Sequence, residues 1–118
     1  MQPRILLIED DPGTASALKK VLQAEGYATD LADNERNRSA LVGFARGADL
    51  LFIEAVFLEI DRQHAERKAH LTARAAGEIA KAAGVKTAVP FHFSPRYLGR
   101  ETELRREFAE AWLGSAAS

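Results

Sequence analysis

The chain contains no cysteine, one methionine and one tryptophan among its 118 residues. The absence of cysteine excludes disulfide bonds, thiolate nucleophiles and cysteine-ligated metals or clusters. Neither charge is in excess, since 16 Lys and Arg face 17 Asp and Glu for a formal net charge of −1. Without an overall basic field, we predict no nucleic-acid partner. Apolar runs such as residues 5–8 fall far short of the roughly 20 residues of a membrane-spanning helix, so we predict no membrane partner.

The rest of the composition is that of a folded globular protein. Hydrophobic residues make up 47% and charged residues 28% of the chain, which is too apolar for an intrinsically disordered protein. A length of 118 residues suffices for one domain with a single core. Strand-like sequence follows Met1 closely, without a signal-peptide pattern, so we expect a cytoplasmic protein or a recombinant product.

Short apolar runs alternate with helical periodicity along the chain. The predicted strands are residues 5–8, 27–31, 49–57 and 85–93, and a predicted helix follows each of them. This alternation predicts an α/β fold: a single three-layer domain with a mostly parallel four-stranded sheet and helices on both faces, the β–α unit being repeated four times. Pro90 cannot donate a hydrogen bond within a sheet, so we expect the fourth strand at an edge or a bulge. The polar stretch 59–70 is expected to be a functional loop or to contain a helical turn.

One domain is predicted over residues 1–114, followed by a tail of small residues, 115–118. Charge is distributed unevenly within it. Residues 1–33 carry three basic and six acidic side chains, whereas residues 34–118 carry thirteen and eleven. The two parts also resemble different families, and we place their junction near residues 29–37.

An acidic motif, ILLIEDDP at residues 5–12, is followed by a predicted helix that ends with AEGY at 24–27. Over residues 1–33 this combination resembles the start of a response-regulator receiver domain, which has a flavodoxin-like fold. The resemblance implies that Asp10 and Asp11 help to hold Mg²⁺, and it places Glu54 where receivers carry a phosphoryl-accepting aspartate. These three residues are therefore candidate cation ligands. Glutamate in place of aspartate argues against phosphorylation.

Four further motifs follow in order: FIEAVF at 52–57, AHLTA at 69–73, AAGEIAKAAGV at 75–85 and FHFSPRY at 91–97. Over residues 34–114 they resemble the C-terminal part of metallo-β-lactamase-fold hydrolases of the ribonuclease Z type. The resemblance implies that Glu54 and His70 assist proton transfer and that His92 binds zinc. It also implies a His-x-His-x-Asp-His cluster, a further histidine and a bridging aspartate, whereas this chain has three histidines in all.

Neither family's catalytic set is complete. A hydrolytic zinc site needs at least three protein ligands, and the receiver resemblance implies a Lys after a fifth strand that this sequence does not contain. We therefore interpret Glu54, His70 and His92 as vestigial, with His92 alone matching a family zinc ligand. We predict no catalytic residue, no enzyme activity and no cofactor apart from weakly bound Mg²⁺. On this interpretation the chain is an engineered or recombined chimera of two α/β fragments, without a native catalytic function, whose purpose is to fold.

Two other functions remain open. A degenerate receiver-like signalling module would bind Mg²⁺ through Asp10 and Asp11. An incomplete metallo-hydrolase remnant would need a partner chain to complete its site. Glu9 and the two aspartates after it are expected to converge with Glu54 at the C-terminal strand ends, where open α/β sheets bind ligands. The alternative is that Asp11 caps a helix and the other carboxylates are solvated.

The three histidines also allow two interpretations. On the first interpretation, His64, His70 and His92 gather with Glu54 and form a zinc site, since imidazole and carboxylate groups suit zinc. Alternatively, they occupy unrelated positions: a charged loop, the start of a helix and the end of a strand.

No partner is required for the predicted fold. The predicted edge strand from Val85 to Phe93 nevertheless has unpaired backbone groups and aromatic side chains, which favour pairing with a second copy of the chain. We therefore expect a homodimer through this strand and a monomer equally.

Overall fold

Four parallel strands form one sheet in the computed structural model, which describes residues 3–33 and 37–114. The strands are β1 (Arg4–Ile8), β2 (Ala28–Ala32), β3 (Leu50–Glu54) and β4 (Thr87–Phe91). Their order in the sheet is β2-β1-β3-β4, and each neighbouring pair is parallel. The predicted α/β fold with a four-stranded sheet is confirmed.

The described residues form five α-helices. These are α1 (Pro12–Ala24), α2 (Arg38–Ala45), α3 (Arg62–Arg67), α4 (Ala73–Ala83) and α5 (Glu101–Leu113). Short polar side chains determine where two of them begin, because Asp11 Oδ1 accepts the Gly13 N–H and Thr72 Oγ1 accepts the Ala75 N–H. The polar stretch 59–70 contains a 3₁₀ turn, Glu59–Asp61, and then α3, so the expected helical turn is present.

Side chains of the central strands alternate between the two faces of the sheet. On one face they form the main core with residues of α2, α4 and α5, among them Leu6, Ile8, Leu51, Ile53, Leu41, Ile79 and Leu104. Ile5 and Leu7 are buried on the opposite face, where α1 packs against β1 and β2. Phe52 and Phe91 are half-buried on this second face, with ring centroids 6.2 Å apart. Helices therefore lie on both faces, which gives three layers.

β4 lies at one edge of the sheet, as Pro90 predicts. The strand ends at Phe91, before the predicted end at residue 93. The next residue, His92, leaves the extended conformation with a φ of 62°. Pairing of this edge with a second copy of the chain stays a prediction.

No helix in the described part of the chain is both long enough and apolar enough to cross a membrane. The predicted tail, residues 115–118, lies outside the described residues, as do residues 34–36 of the predicted junction. The division into two fragments stays a prediction.

Candidate functional site

The chain runs from β1 to β2 on one side and then crosses to β3 on the other side of β1, so the direction in which strands are added reverses at β1. Open α/β sheets bind ligands beyond the C-terminal ends of the strands at such a point. Ile8 is level with Ile53, so the residues that follow them, Glu9 and Glu54, lie side by side at this end of the sheet. Glu54 is in turn level with the last residue of β4, which His92 follows directly. Residues from three strand ends therefore meet where the topology predicts a ligand site.

Glu9 is an almost fully buried carboxylate, with 2% of its surface exposed. Its Oε1 accepts the Asp11 N–H at 3.0 Å and lies 2.8 Å from Nδ1 of His92. The contact with His92 reaches across β3, because β1 and β4 are not neighbours. Within the described part of the chain, Glu9 Oε2 has no hydrogen-bond partner. A buried carboxylate oxygen without a partner destabilises the fold unless a ligand compensates it.

Glu54 is completely buried and occupies the centre of the cluster. Its Oε1 accepts the Asp10 N–H at 2.9 Å, and its Oε2 accepts the Leu71 N–H at 2.7 Å. Oε2 also lies 3.1 Å from Nδ1 of His70. Burial raises the pKa of Glu54 from 4.5 to about 8; the Glu9 carboxylate adds to the increase, and the two N–H groups oppose it. The protonated carboxyl group is therefore favoured at neutral pH.

Two histidines complete the cluster, with ring centroids 5.6 Å apart. The side chain of His70 is 19% exposed and that of His92 is 30% exposed, so both rings reach solvent. Burial lowers the pKa of His70, which favours its neutral form. Left-handed backbone conformations position both side chains, since φ is 57° at Ala69 and 62° at His92. Such conformations are uncommon outside glycine, and they cluster at functional sites.

The cluster suits a divalent cation. Glu9, Glu54 and His92 each offer one ligand atom, and these atoms lie within 4.8 Å of one another. A cation between them would compensate two buried carboxylates and would provide a partner for Glu9 Oε2. Two carboxylates and an imidazole match zinc or manganese, whereas magnesium prefers oxygen ligands alone.

Asp10 and Asp11 do not join this group in the way that the receiver resemblance implies. Asp11 is exposed, and its carboxylate caps α1 through the Thr14 hydroxyl and the Gly13 N–H, which lower its pKa. Asp10 contributes its backbone N–H to Glu54. Among the residues that the structure describes, neither aspartate belongs to a group that could hold a metal ion.

His64 lies apart from the other two histidines. Its ring packs against Phe57, with 5.2 Å between the centroids, and its Nδ1 lies 3.1 Å from the guanidinium group of Arg67. The structure therefore brings His70 and His92 together with Glu54 and places His64 elsewhere.

Glu9 is the member of the cluster that the family resemblances did not select, although its expected convergence with Glu54 at the C-terminal strand ends is confirmed. The alternation of side chains along β1 contains a signal for it, because Ile5, Leu7 and Glu9 are two residues apart and face the same side. Glu54 is two residues beyond Phe52 on the matching side of β3. This signal identifies Glu9 only once the two strands are known to be neighbours.

Known proteins named ribonuclease Z match part of the chain. That of Brevibacillus brevis is 46% identical over 68 residues, which is 58% of this chain and 21% of the relative. That of Streptomyces avermitilis is 55% identical over 53 residues, 45% of this chain and 18% of the relative. That of Halorubrum lacusprofundi is 39% identical over 79 residues, 67% of this chain and 26% of the relative. This chain is similar to part of ribonuclease Z. It spans about a quarter or less of these relatives, and no family model matches it.

These matches correct the main functional interpretation of the sequence. The interpretation of the chain as an engineered or recombined chimera without a native catalytic function is wrong, because proteins named as ribonucleases match up to 67% of it. The matches favour the alternative, a fragment related to a metallo-hydrolase. The resemblance to the ribonuclease Z type is thereby confirmed for part of the chain.

The resemblance of residues 1–33 to receivers stays a prediction. The strand order β2-β1-β3-β4 is that of the first four strands of the flavodoxin-like order, but many families share that order. The relatives are named as ribonucleases, whereas the predicted lack of enzyme activity in this chain stays a prediction. The expectation of no cofactor apart from Mg²⁺ is replaced by a candidate metal site, Glu9 with Glu54 and His92.

Proposed function

We propose that this chain is part of a metal-dependent phosphodiesterase of the ribonuclease Z type. The observation that carries the proposal is the contact between Glu54 and His70 beside His92. Nδ1 of His70 lies 3.1 Å from Oε2 of Glu54, and the two histidine rings are 5.6 Å apart. Proton transfer and metal binding require these groups in one place. The partial matches to ribonuclease Z support the same class of activity.

The proposed role of Glu54 and His70 is to hold and transfer a proton. The N–H groups of Asp10 and Leu71 fix the Glu54 carboxyl group, which in turn orients the His70 ring through Nδ1. Because His70 reaches solvent, its ring can pass a proton to a leaving oxygen at the surface of the cluster. Glu54 then supplies or receives the proton at Nδ1.

The proposed role of His92 is that of a metal ligand. Its contact with Glu9 fixes the orientation of the ring, as carboxylates commonly do for ligating histidines. A bound divalent metal supplies Lewis acidity toward a phosphodiester and acidifies bound water.

The other ligands of a ribonuclease Z-type centre would come from polypeptide outside these 118 residues, since the chain has three histidines. Phe52 and Phe91 provide a surface for such a segment. Both are half-buried, and the alternation of side chains along the strands places them on the same face of the sheet as positions 9 and 54. A segment that packs on these two rings would approach the cluster directly.

An RNA phosphodiester substrate would depart from the expectation of no nucleic-acid partner, which rested on the net charge and on the acidic residues between the arginines. Three exposed arginines in the C-terminal part of the chain are positioned over aromatic rings. The pairs are Arg96 over Phe57 at 5.7 Å, Arg100 over Tyr97 at 5.6 Å and Arg105 over Phe93 at 5.0 Å. Guanidinium groups suit phosphate binding, and a phosphate would compete with Asp61 for Arg96 and with Glu103 for Arg100.

Hydrolysis of bis(p-nitrophenyl) phosphate with added Zn²⁺ or Mn²⁺ tests the proposal. The chain is assayed alone and mixed with a polypeptide that carries the His-x-His-x-Asp-His part of the family. We expect turnover in the mixture, a decrease of about 100-fold or more with Glu54→Gln, and loss of turnover with His92→Asn. Asparagine is chosen because it tolerates the left-handed backbone at position 92.

His64→Asn is the matched control, because it removes a histidine outside the cluster, and we expect it to leave turnover unchanged. Circular dichroism checks that each variant is folded. Absence of turnover in every mixture, or equal turnover in the wild type and Glu54→Gln, would refute the proposed function.

A further inference from the structure

Glu9 indicates a binding function that this chain can perform by itself. The residue lies outside residues 34–114, whose motifs carry the ribonuclease Z resemblance, yet its Oε1 lies 2.8 Å from Nδ1 of His92. The side chain is almost fully buried, and its Oε2 has no hydrogen-bond partner among the described residues. An unpartnered polar atom at this depth calls for a ligand, because burying it otherwise costs stability.

The geometry around Glu9 fits a single metal ion. Ligand atoms of Glu9, Glu54 and His92 lie within 4.8 Å of one another. Donor atoms about 2.1 Å from a tetrahedral zinc ion are separated from each other by roughly 3.4 Å. Side-chain rotations that bring these atoms to that spacing would place them around one ion, at the expense of some of the hydrogen bonds that now hold Glu54.

The sheet holds the two carboxylates together. Glu9 and Glu54 follow Ile8 and Ile53, which are paired in adjacent strands, so the two residues stay side by side as long as the strands are paired. A divalent cation between two buried carboxylates attracts both of them, which compensates their burial.

We propose that Glu9, Glu54 and His92 of this chain bind one Zn²⁺ ion. The set of one imidazole and two carboxylates favours zinc over the hard cations Mg²⁺ and Ca²⁺. The 30% exposed side chain of His92 provides the route from solvent. Zinc binds ionised carboxylates and an unprotonated ring nitrogen, so the protons that these groups carry in the free chain, that of Glu54 included, are released to solvent.

This site differs from the histidine-rich centre that the ribonuclease Z resemblance implies, because two of its three ligands are glutamates and one of them, Glu9, comes from the first strand. It shares Glu54 and His92 with the phosphodiesterase proposed above, but its readout is metal binding and not turnover. The chain is expected to bind zinc without a completing polypeptide and without turnover.

Isothermal titration of the full chain with ZnCl₂ tests the inference directly. We expect one Zn²⁺ per chain, with an increase in the thermal unfolding midpoint, since a ligand that binds only the folded state stabilises it. Glu9→Gln and His92→Asn are each expected to weaken binding by about 100-fold or more, because even an outer-shell partner is worth 10- to 100-fold in affinity. Should Glu9→Gln fail to fold, His92→Asn provides the same test at a partly exposed side chain.

Two matched controls carry the same chemical changes outside the site. Glu25→Gln and His64→Asn are expected to bind zinc like the wild type. The inference is overturned if the wild type binds no stoichiometric zinc, if Glu9→Gln retains full affinity, or if a control loses as much affinity as the site variants. A stabilisation by MgCl₂ that disappears in Asp11→Asn, together with no stoichiometric zinc binding, would favour the receiver-like alternative and overturn the inference.

The two proposals can fail separately. Zinc binding that requires Glu9, in a chain that shows no turnover in any mixture, supports this site and refutes the phosphodiesterase function. Turnover in the mixture that requires Glu54, in a chain whose zinc affinity is unchanged by Glu9→Gln, refutes this site and supports the phosphodiesterase function.

Discussion

Replacement of Glu54 by glutamine removes a buried titratable group and nearly preserves its shape. The pKa of Glu54 is raised from 4.5 to about 8 in the folded chain, mainly by burial. Because the folded state binds this proton more tightly than the unfolded state, the stability contributed by protonation is fully present below pH 4.5 and is lost as the pH rises through 8. This corresponds to a decrease of about 4 kcal/mol in the free energy of unfolding between pH 5 and pH 9.

Several other titratable groups face Glu54. They are Glu9 after β1, His70 before α4, His92 after β4 and Asp10, whose backbone N–H bonds to Glu54 and whose side chain acts on His70. The lowered pKa of His70 acts in the opposite direction, because the unfolded state then binds more protons and stability rises with pH near 6.5. All four groups remain in Glu54→Gln, so the difference between the wild type and the variant isolates the contribution of Glu54.

Urea unfolding between pH 5 and pH 9 in the presence of EDTA measures this difference. At pH 5 we expect the variant to be less stable by about 1–3 kcal/mol, because its amide cannot accept the N–H groups of both Asp10 and Leu71. By pH 9 the variant should have gained about 4 kcal/mol relative to the wild type. Glu110→Gln, an exposed position in α5, should follow the wild type throughout. A constant difference between Glu54→Gln and the wild type across this range would refute the reasoning.

Three further substitutions test the packing around the site. Gly77→Ala places a Cβ 2.5 Å from the Phe108 carbonyl oxygen, so we expect α4 and α5 to separate and urea unfolding to show a loss of about 1–3 kcal/mol. Gly43→Ala meets nothing within 4 Å in α2 and should stabilise by up to about 1 kcal/mol; equal effects of the two substitutions would contradict the close helix contact. Tyr97→Phe removes the hydroxyl that accepts the Leu58 N–H at 3.0 Å and should cost about 1–3 kcal/mol, so an unchanged thermal midpoint would contradict that role.

The fold could be predicted largely from local patterns. The apolar run at residues 5–8 predicts a strand buried on both faces, and β1 is such a strand. Pro90 predicts an edge strand because it lacks an N–H group, and β4 is at the edge. Asp11 predicts a helix N-cap because of its short acceptor side chain. Each of these signals depends on a few neighbouring residues, which is why it could be interpreted without the structure.

The cluster could be predicted only in part, because its geometry is not local. Motif resemblance selected Glu54, His70 and His92, and the structure brings these three together. Glu9 depends on the pairing of Ile8 with Ile53, and a shift of one residue in that pairing would turn its side chain toward the other face. The orientation of His92 depends on a left-handed backbone conformation that a histidine in a strand-like sequence does not predict.

Glu9 also shows why counting motif residues underestimates what this chain can bind. Measured against the histidine-rich pattern of the ribonuclease Z type, the chain retains a single matching ligand, His92. The sheet adds Glu9 and Glu54 through strand position alone, and β1 is held between β2 and β3, so Glu9 stays in place as long as the sheet is paired. Ligands on rigid elements are preorganised, which is the main requirement for a metal site beyond the identity of the donors. The proposed metal binding therefore depends on the C-terminal ends of the strands and not on the family's histidines.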